Sequence, residues 1–321
     1  MRILVTGGAG FIGSHLVDRL VQRRDEVCVL DCFNDFYSPE IKRRNVAPHV
    51  ASKAIRLVEG DICDAKLVEE TVGSFKPKKI VHLAARVAVR PSVQDPILYE
   101  RVNCQGTMNL LKASVEKGVE QFVFASSSSV YGNNEKTPFS EDDFVGRPIS
   151  PYAATKRAGE IYCYTYHHLF GLPVTCLRFF TVYGPRQRPD LAIHKFTRLM
   201  AQGKPIAKYG DGSTRRDYTF YADILQGLEA AIERVFDYEI INLGESQTIS
   251  LNEMIRAIEE VTGMTARIEQ KPVQPGDVNV TYADIGKARK LLGYAPKYPL
   301  KKGLEAFWAW FQENRGVLTG K

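Results

Sequence analysis

Seven residues near the start of the chain, Gly7-Gly8-Ala9-Gly10-Phe11-Ile12-Gly13, constrain the fold more than any other feature. They join an apolar run, Arg2–Thr6, to a stretch with helical spacing in which Ile12, Leu16 and Leu20 share one face. A strand that turns sharply into a helix needs residues without side-chain clash. Glycines also leave a bare backbone for a pyrophosphate, and the helix N-terminus adds free N–H groups and a partial positive charge. A glycine-rich turn without a ligand is the alternative. The context favours the ligand. A second apolar run, Glu26–Leu30, ends at Asp31, roughly 20 residues on, where a carboxylate can accept hydrogen bonds from a ribose diol. An Asp there repels a 2′-phosphate, so NAD is expected rather than NADP. Gly7, Gly10, Phe11, Ile12, Gly13 and Asp31 are the first candidate cofactor residues. Asp61 and Ile62, after a third strand, are expected beside the adenine, with helix capping as the alternative.

Strands alternate with helices through the first half. Strands are expected at Ile55–Val58, Lys79–Leu83, Gln121–Ala125 and Val174–Phe179, and helices at Ala65–Ser74, Pro96–Lys117 and Pro151–Phe170. That alternation implies parallel βαβ units and a doubly wound sheet. After about residue 180 the pattern changes. Pro185, Pro189 and the Gly210-Asp211-Gly212 turn interrupt it, and helices are expected at Ala192–Gln202, Ala222–Val235, Leu251–Thr262 and Leu300–Asn314. The expected fold class is α/β: a Rossmann-type doubly wound parallel sheet over residues 1–180, with a smaller mixed α/β substrate domain over 181–321. Part of 217–245 is expected to return to the first domain, with a cleft between the lobes.

Other classes are excluded by composition. The 321 residues carry 43 Lys and Arg against 37 Asp and Glu, a net charge of +6 with no basic run, so no nucleic-acid partner is expected. An anionic small molecule accounts for the excess equally well. No apolar stretch reaches the roughly 18 residues of a membrane span, so no membrane partner is expected. The six cysteines are scattered without a CxxC pair, which reads as reduced thiols of a cytoplasmic protein with no disulfide framework and no metal site.

The chemistry is expected at the start of the helix Pro151–Phe170. Tyr152 and Lys156 lie four residues apart, on one helical face. A tyrosine normally loses its proton near pH 10, and a neighbouring ammonium favours the phenolate. Tyr152 is then a candidate base for a sugar or alcohol hydroxyl. A Tyr–Lys pair is by itself more often structural. Three serines make coincidence less attractive: Ser126, Ser127 and Ser128 end the strand Gln121–Ala125, at the carboxyl edge where such sheets bind ligands.

Taken together, these residues resemble the extended short-chain dehydrogenase/reductase family. The matching parts are the Gly7/Gly10/Gly13 loop, His82-Leu83-Ala84-Ala85, Asn103, the serines with Val130-Tyr131-Gly132, and Tyr152 with Lys156, in order over the first 180 residues. The resemblance implies a tightly held NAD that is reduced and reoxidised within one turnover. It adds Asn34, Leu83, Ala84, Ala85, Asn103, Ser126 and Phe180 to the cofactor residues, together with Tyr152 and Lys156. It makes Tyr152, Lys156 and Ser127 the catalytic set, with Lys156 lowering the Tyr152 pKa.

The serines narrow the branch. Sugar-nucleotide 4,6-dehydratases of this family carry an Asp-Glu pair where this chain has Ser128 and Ser129, and UDP-xylose-forming decarboxylases carry Glu at the Ser129 position. What remains is oxidation and re-reduction of carbon 4, which is epimerisation. Asn34-Asp35-Phe36-Tyr37-Ser38-Pro39, the run Arg178 to Asp190, and Pro275-Gly276-Asp277-Val278 resemble the branch acting on UDP-glucuronate. Arg188 offers a fork of donors, and Thr181 a hydroxyl, to a uronate carboxylate. The resemblance implies further substrate contacts at Arg90, Ser127, Ser128, Tyr152, Ala192, Lys195, Tyr209, Arg216 and Asp277, with Gln274 where many relatives have a phosphate-binding Arg. A UDP-glucose or UDP-N-acetylglucosamine 4-epimerase remains the near alternative, and a non-catalytic NAD-binding regulator the remote one. The resemblance also implies a homodimer paired through the helices at 96–117 and 151–170.

Overall fold

The strands of the first half are near-continuous apolar runs, the pattern of a parallel sheet covered by helices on both faces. The computed structural model, which describes residues 1–272 and 278–319, shows that sheet. The chain begins with β1 (Arg2–Thr6), α1 (Phe11–Gln22), β2 (Glu26–Asp31), α2 (Pro39–Ala51), β3 (Ile55–Glu59), α3 (Ala65–Phe75), β4 (Lys79–His82), α4 (Val89–Gln94) and α5 (Pro96–Glu100). It continues with α6 (Gly106–Glu116), β5 (Gln121–Ser127), α7 (Pro151–Phe170), β6 (Val174–Phe179), β7 (Thr181–Tyr183), α8 (Ala192–Ala201), β8 (Ile206–Tyr209), β9 (Arg215–Arg216) and β10 (Tyr218–Phe220). The remainder is α9 (Tyr221–Glu233), β11 (Tyr238–Leu243), β12 (Ile249–Ser250), α10 (Leu251–Thr262), β13 (Ile268–Lys271), α11 (Gly286–Leu292), α12 (Leu300–Glu313) and α13 (Arg315–Thr319).

Seven parallel strands form the sheet in the order β11-β6-β5-β4-β1-β2-β3. This is a Rossmann-type doubly wound sheet. Alternate residues of one strand feed two cores. Ile3 and Val5 pack with Leu16, Leu20, Ile224 and Leu228, while Leu4 packs on the other side with Val68, Val72, Leu110 and Leu111. Chain direction across the sheet reverses between β1 and β4, which opens a crevice beyond their carboxyl ends. After leaving the sheet at β6, the chain comes back: α9 packs against α1, and β11 pairs with β6 as the edge strand.

A third apolar cluster lies in the later residues, around Ile193, Phe196, Met200, Met254, Ile258, Phe307 and Phe311 of α8, α10 and α12. Three two-stranded ribbons accompany it: β10 with β7, β12 with β9, and β13 with β8. Among the described residues, no helix is long and apolar enough to cross a membrane.

Among the segments that depart from the sequence expectations, two bear on the candidate site residues. The single helix expected over 96–117 is α5 and α6 joined by a π-turn at Arg101–Gln105. The wider turn buries Asn103, whose amide closes two hydrogen bonds onto the Arg86 backbone, at 2.8 Å from its N–H and 2.9 Å to its carbonyl. Helix α2 was not expected at all. Its sequence is polar and contains Pro48, so no apolar periodicity marks it.

Behind the serine strand lies a buried ion pair. Arg178 at the end of β6 donates through Nε and Nη2 to Glu160 of α7, at 2.8 and 3.0 Å, and both side chains are almost completely buried. Removing one partner of such a pair strands a buried charge and costs about 3–5 kcal/mol. Arg178→Met should lower stability by about that amount in urea unfolding; a loss below about 1 kcal/mol would show that the pair is dispensable.

Candidate active site

The glycine loop is built by close approach. Gly7 has φ +69°, and a Cβ on it would lie 2.7 Å from the Ala84 nitrogen. A Cβ on Gly13 would lie 2.2 Å from the Gly7 carbonyl oxygen, and one on Gly10 3.2 Å from the same atom. Gly10 caps α1 without any side-chain hydrogen bond, so no side chain competes for the first-turn N–H groups. The result is a cradle that side chains would fill, which fits a pyrophosphate. At the end of β2, Asp31 accepts from the Ala9 N–H at 3.1 Å and the Phe33 N–H at 2.9 Å. Burial pushes its pKa up, and those two bonds pull it back. A carboxylate has further lone pairs, so room for a diol remains.

The cradle opens into one cavity of about 640 Å³. Its wall includes Gly7, Gly10, Phe11, Ile12, Gly13, Asp31, Asn34, Asp61 and Ile62 at one end. It also includes Leu83, Ala84 and Ala85, then Ser126, Ser127, Ser128, Tyr152, Lys156, Phe180, Thr181 and Arg188 at the other. Residues distant in sequence thus meet because β1, β4, β5 and β6 end on one edge of the sheet.

Not every candidate reaches that wall. Asn103 stands behind it, bonded to the Arg86 backbone and to the Thr155 hydroxyl at 3.0 Å, and so positions the loop after β4. Arg90 and Tyr209 stack on each other, with the guanidinium carbon 4.6 Å from the ring centre, and neither lines the cavity. Arg216 donates to the Arg215 and Asn279 carbonyls outside the cavity wall. Ala192 and Lys195 lie on α8, where only the preceding Leu191 reaches the cavity. Asp277 and Gln274 lie outside the described residues.

At the chemical end, burial raises the pKa of the Tyr152 phenol, opposed by the Ser127 hydroxyl and the positive charge of Arg188. Lys156 lines the same cavity wall, and the Ala125 carbonyl fixes its head group at 2.7 Å. Burial pushes its pKa down to about 8. Ser127 accepts from the Ser129 N–H and donates to the Ser129 hydroxyl, both at 3.1 Å. Ser126 is held by Glu160 at 2.6 Å.

His82 is structural. Its two ring nitrogens meet the hydroxyls of Thr6 and Thr107 at 2.7 and 2.9 Å, and burial pushes its pKa down to about 3. The cavity wall also contains residues that no sequence signal had marked. Lys42 of α2 is buried there, its ammonium 2.6 Å from the Asn34 carbonyl oxygen and 4.6 Å above the Tyr37 ring. Among the described residues no cluster of His, Cys, Asp or Glu could hold a metal ion.

The sequence profile of the family described as GDP-mannose 4,6 dehydratase matches residues 4–307. The chain belongs to that family. A UDP-glucuronate 4-epimerase from Thermodesulfobacterium geofontis is 39% identical over 312 residues, 97% of this chain and 96% of its own. A crystal structure of UDP-glucuronic acid 4-epimerase from Bacillus cereus, in complex with UDP-glucuronic acid and NAD, superposes with a TM-score of 0.92 at 36% identity. The match covers 98% of this chain and 99% of that one. A UDP-glucose 4-epimerase from Thermotoga maritima, solved with UDP-glucose, gives 0.90 at 34% identity, over 98% and 100% of the two chains.

The cradle yields a direct prediction. Gly13→Ala places a methyl group into the Gly7 carbonyl and should strip the purified protein of bound nucleotide. Chromatography of nucleotide released on denaturation measures this; a full equivalent retained would exclude the cradle as the binding point.

Proposed function

We propose that the chain is an NAD-dependent 4-epimerase that interconverts UDP-glucuronate and UDP-galacturonate. One observation carries the reading: Tyr152, Ser127, Thr181 and Arg188 line a single cavity continuous with the glycine cradle. The family's name includes dehydratases, but loss of water needs a proton shuttle. The places of that acid pair are taken by Ser128 and Ser129, whose hydroxyls are poor acids and bases near neutral pH, and both face the same cavity. The relatives solved with NAD and a UDP-sugar support the cofactor and the substrate class.

When bound, NAD supplies the chemistry of taking a hydride from carbon 4 and returning it. The chain's own part is to move a proton and hold the sugar. Tyr152, as phenolate, removes the proton of the carbon-4 hydroxyl, and Ser127 holds that oxygen. The charge of Arg188 favours the phenolate against the cost of burial. Lys156, anchored to the Ala125 carbonyl, lines the cavity beside Tyr152. Arg188 and Thr181 hold the carboxylate on carbon 5. The 4-keto uronate is a β-keto acid, and holding its carboxylate away from alignment with the ketone suppresses loss of carbon dioxide. Few contacts to the sugar and firm contacts to UDP let the keto sugar turn and present its other face.

We divide the chain into an NAD-binding lobe over 1–180, joined by part of 217–245, and a UDP-sugar lobe over the remainder of 181–321. A homodimer is the proposed assembly. Val93, Ile97, Ile161 and Tyr164 are exposed apolar side chains on the neighbouring helices α4, α5 and α7, and pairing would cover them. The six cysteines form no disulfide, which accords with a reducing, cytoplasmic location.

Incubation with UDP-glucuronate, UDP-glucose and UDP-N-acetylglucosamine, with products identified by NMR, tests the reading. UDP-galacturonate should form, and Tyr152→Phe should abolish its formation while nucleotide stays bound. Retained turnover would remove Tyr152 from the role. Arg188→Ala should depress kcat/KM for UDP-glucuronate at least roughly tenfold more than for UDP-glucose, since a charged pairing is lost for only one of them. Equal losses would count against a carboxylate contact.

A further inference from the structure

Arg188 does not meet the substrate as a bare cation. Its Nε donates to Asp190 Oδ1 at 3.0 Å and its Nη2 to Asp190 Oδ2 at 2.9 Å, a two-pronged pair. The turn that carries both residues is braced from several sides. The Leu191 N–H bonds the Arg188 carbonyl at 3.2 Å, and the Gln187 carbonyl meets His194 Nδ1 at 2.6 Å. The Pro185 carbonyl meets His15 Nε2 at 2.9 Å, and Arg186 pairs with Asp18 at 2.8 Å. Arg188 and Asp190 are therefore held in register with the cavity rather than left to sample the surface. The Phe36 ring lies 5.8 Å from the guanidinium carbon, so one side of the cation is screened from water.

We propose that Asp190 is a specificity-determining residue: by neutralising Arg188 before substrate arrives, it weakens the preference of the pocket for a uronate over a neutral hexose. The proposal rests on the reading that Arg188 faces the carbon-5 substituent of a UDP-sugar. Two effects act in the same direction. A uronate must share the guanidinium with the Asp190 carboxylate, and two anions on one cation repel each other. A neutral hexose covers a cation that is already paired, so it avoids the cost of enclosing an unpaired charge. The pair uses only one edge of the guanidinium. Of the five donors, three remain for a second carboxylate, so a uronate still binds, with reduced advantage. The Asp190 side chain is 32% exposed, and solvent screening keeps the effect moderate.

The test uses binding, so that catalysis does not confuse it. Dissociation constants for UDP-glucuronate and UDP-glucose are measured by calorimetry on the NAD-loaded protein carrying Tyr152→Phe, with and without Asp190→Asn. Removing the charge should tighten UDP-glucuronate roughly fivefold and weaken UDP-glucose roughly fivefold, with the shift for the uronate shrinking as salt is raised. Asp190→Ser removes the same charge and should move both constants in the same directions; it carries the test if the Asn variant is not recovered folded. A merely structural role would weaken both ligands together, and that result, or no change in either, overturns the proposal. The parent reading fails separately: if the protein with Asp190 intact does not bind UDP-glucuronate, or binds it without loss after Arg188→Ala, then Arg188 is not the carboxylate site.

Discussion

The ion pair between Glu160 and Arg178 holds the chemical end of the cavity together. It ties α7 to β6, and α7 carries Tyr152 and Lys156 on its first turns. The same carboxylate accepts from the Ser126 hydroxyl of β5 and from Arg157, so the serine strand and the tyrosine helix share one anchor. On its far side Arg178 donates to the Tyr131 hydroxyl at 3.0 Å, and Tyr131 donates to Asn242 of β11 at 2.7 Å. Two desolvated charges are expensive, and they persist only because nearly every lone pair and proton has a partner. The cost is accepted at the place where strand ends and helix must hold a fixed relative position.

The sugar side of the cavity depends on a second buried carboxylate. Asp217 accepts from the N–H groups of Glu245, Ser246 and Ala283 and from the Thr219 hydroxyl, at 2.7 to 3.1 Å. Burial pushes its pKa up to about 6 against those four bonds. Its carbonyl accepts from the Thr181 N–H at 3.1 Å. One residue thus joins the end of β11, the segment after residue 278 and the strand that offers Thr181 to the cavity. This explains how chain beyond residue 180 becomes part of a wall whose other half is the Rossmann sheet.

The cofactor half was legible because its causes are local. A strand, three glycines and an acid about 20 residues on must lie in one βαβ unit, whatever the rest of the chain does. Ser126, Ser127 and Tyr152 were legible as chemistry, since strand ends in such a sheet share an edge. Lys42 was not, because α2 is polar and holds Pro48, leaving no periodic signal to say which face turns inward. Arg90, Tyr209 and Arg216 were expected at the substrate; the cavity wall does not include them, and Arg90 and Tyr209 lie against each other. Motif matching names the residue type and the neighbourhood but not the rotamer.

The sequence by itself determined the doubly wound sheet and the glycine cradle, because these follow from short-range pattern and the rules of parallel strands. Only the tertiary structure decided which distant side chains share the cavity with Tyr152 and what charge the pocket presents. Lys156, four residues away, donates to the Ala125 carbonyl, while Arg188, 36 positions on, lines the same cavity and arrives already paired to Asp190. Electrostatic influence depends on distance and burial in three dimensions, and separation along the chain carries almost no information about either.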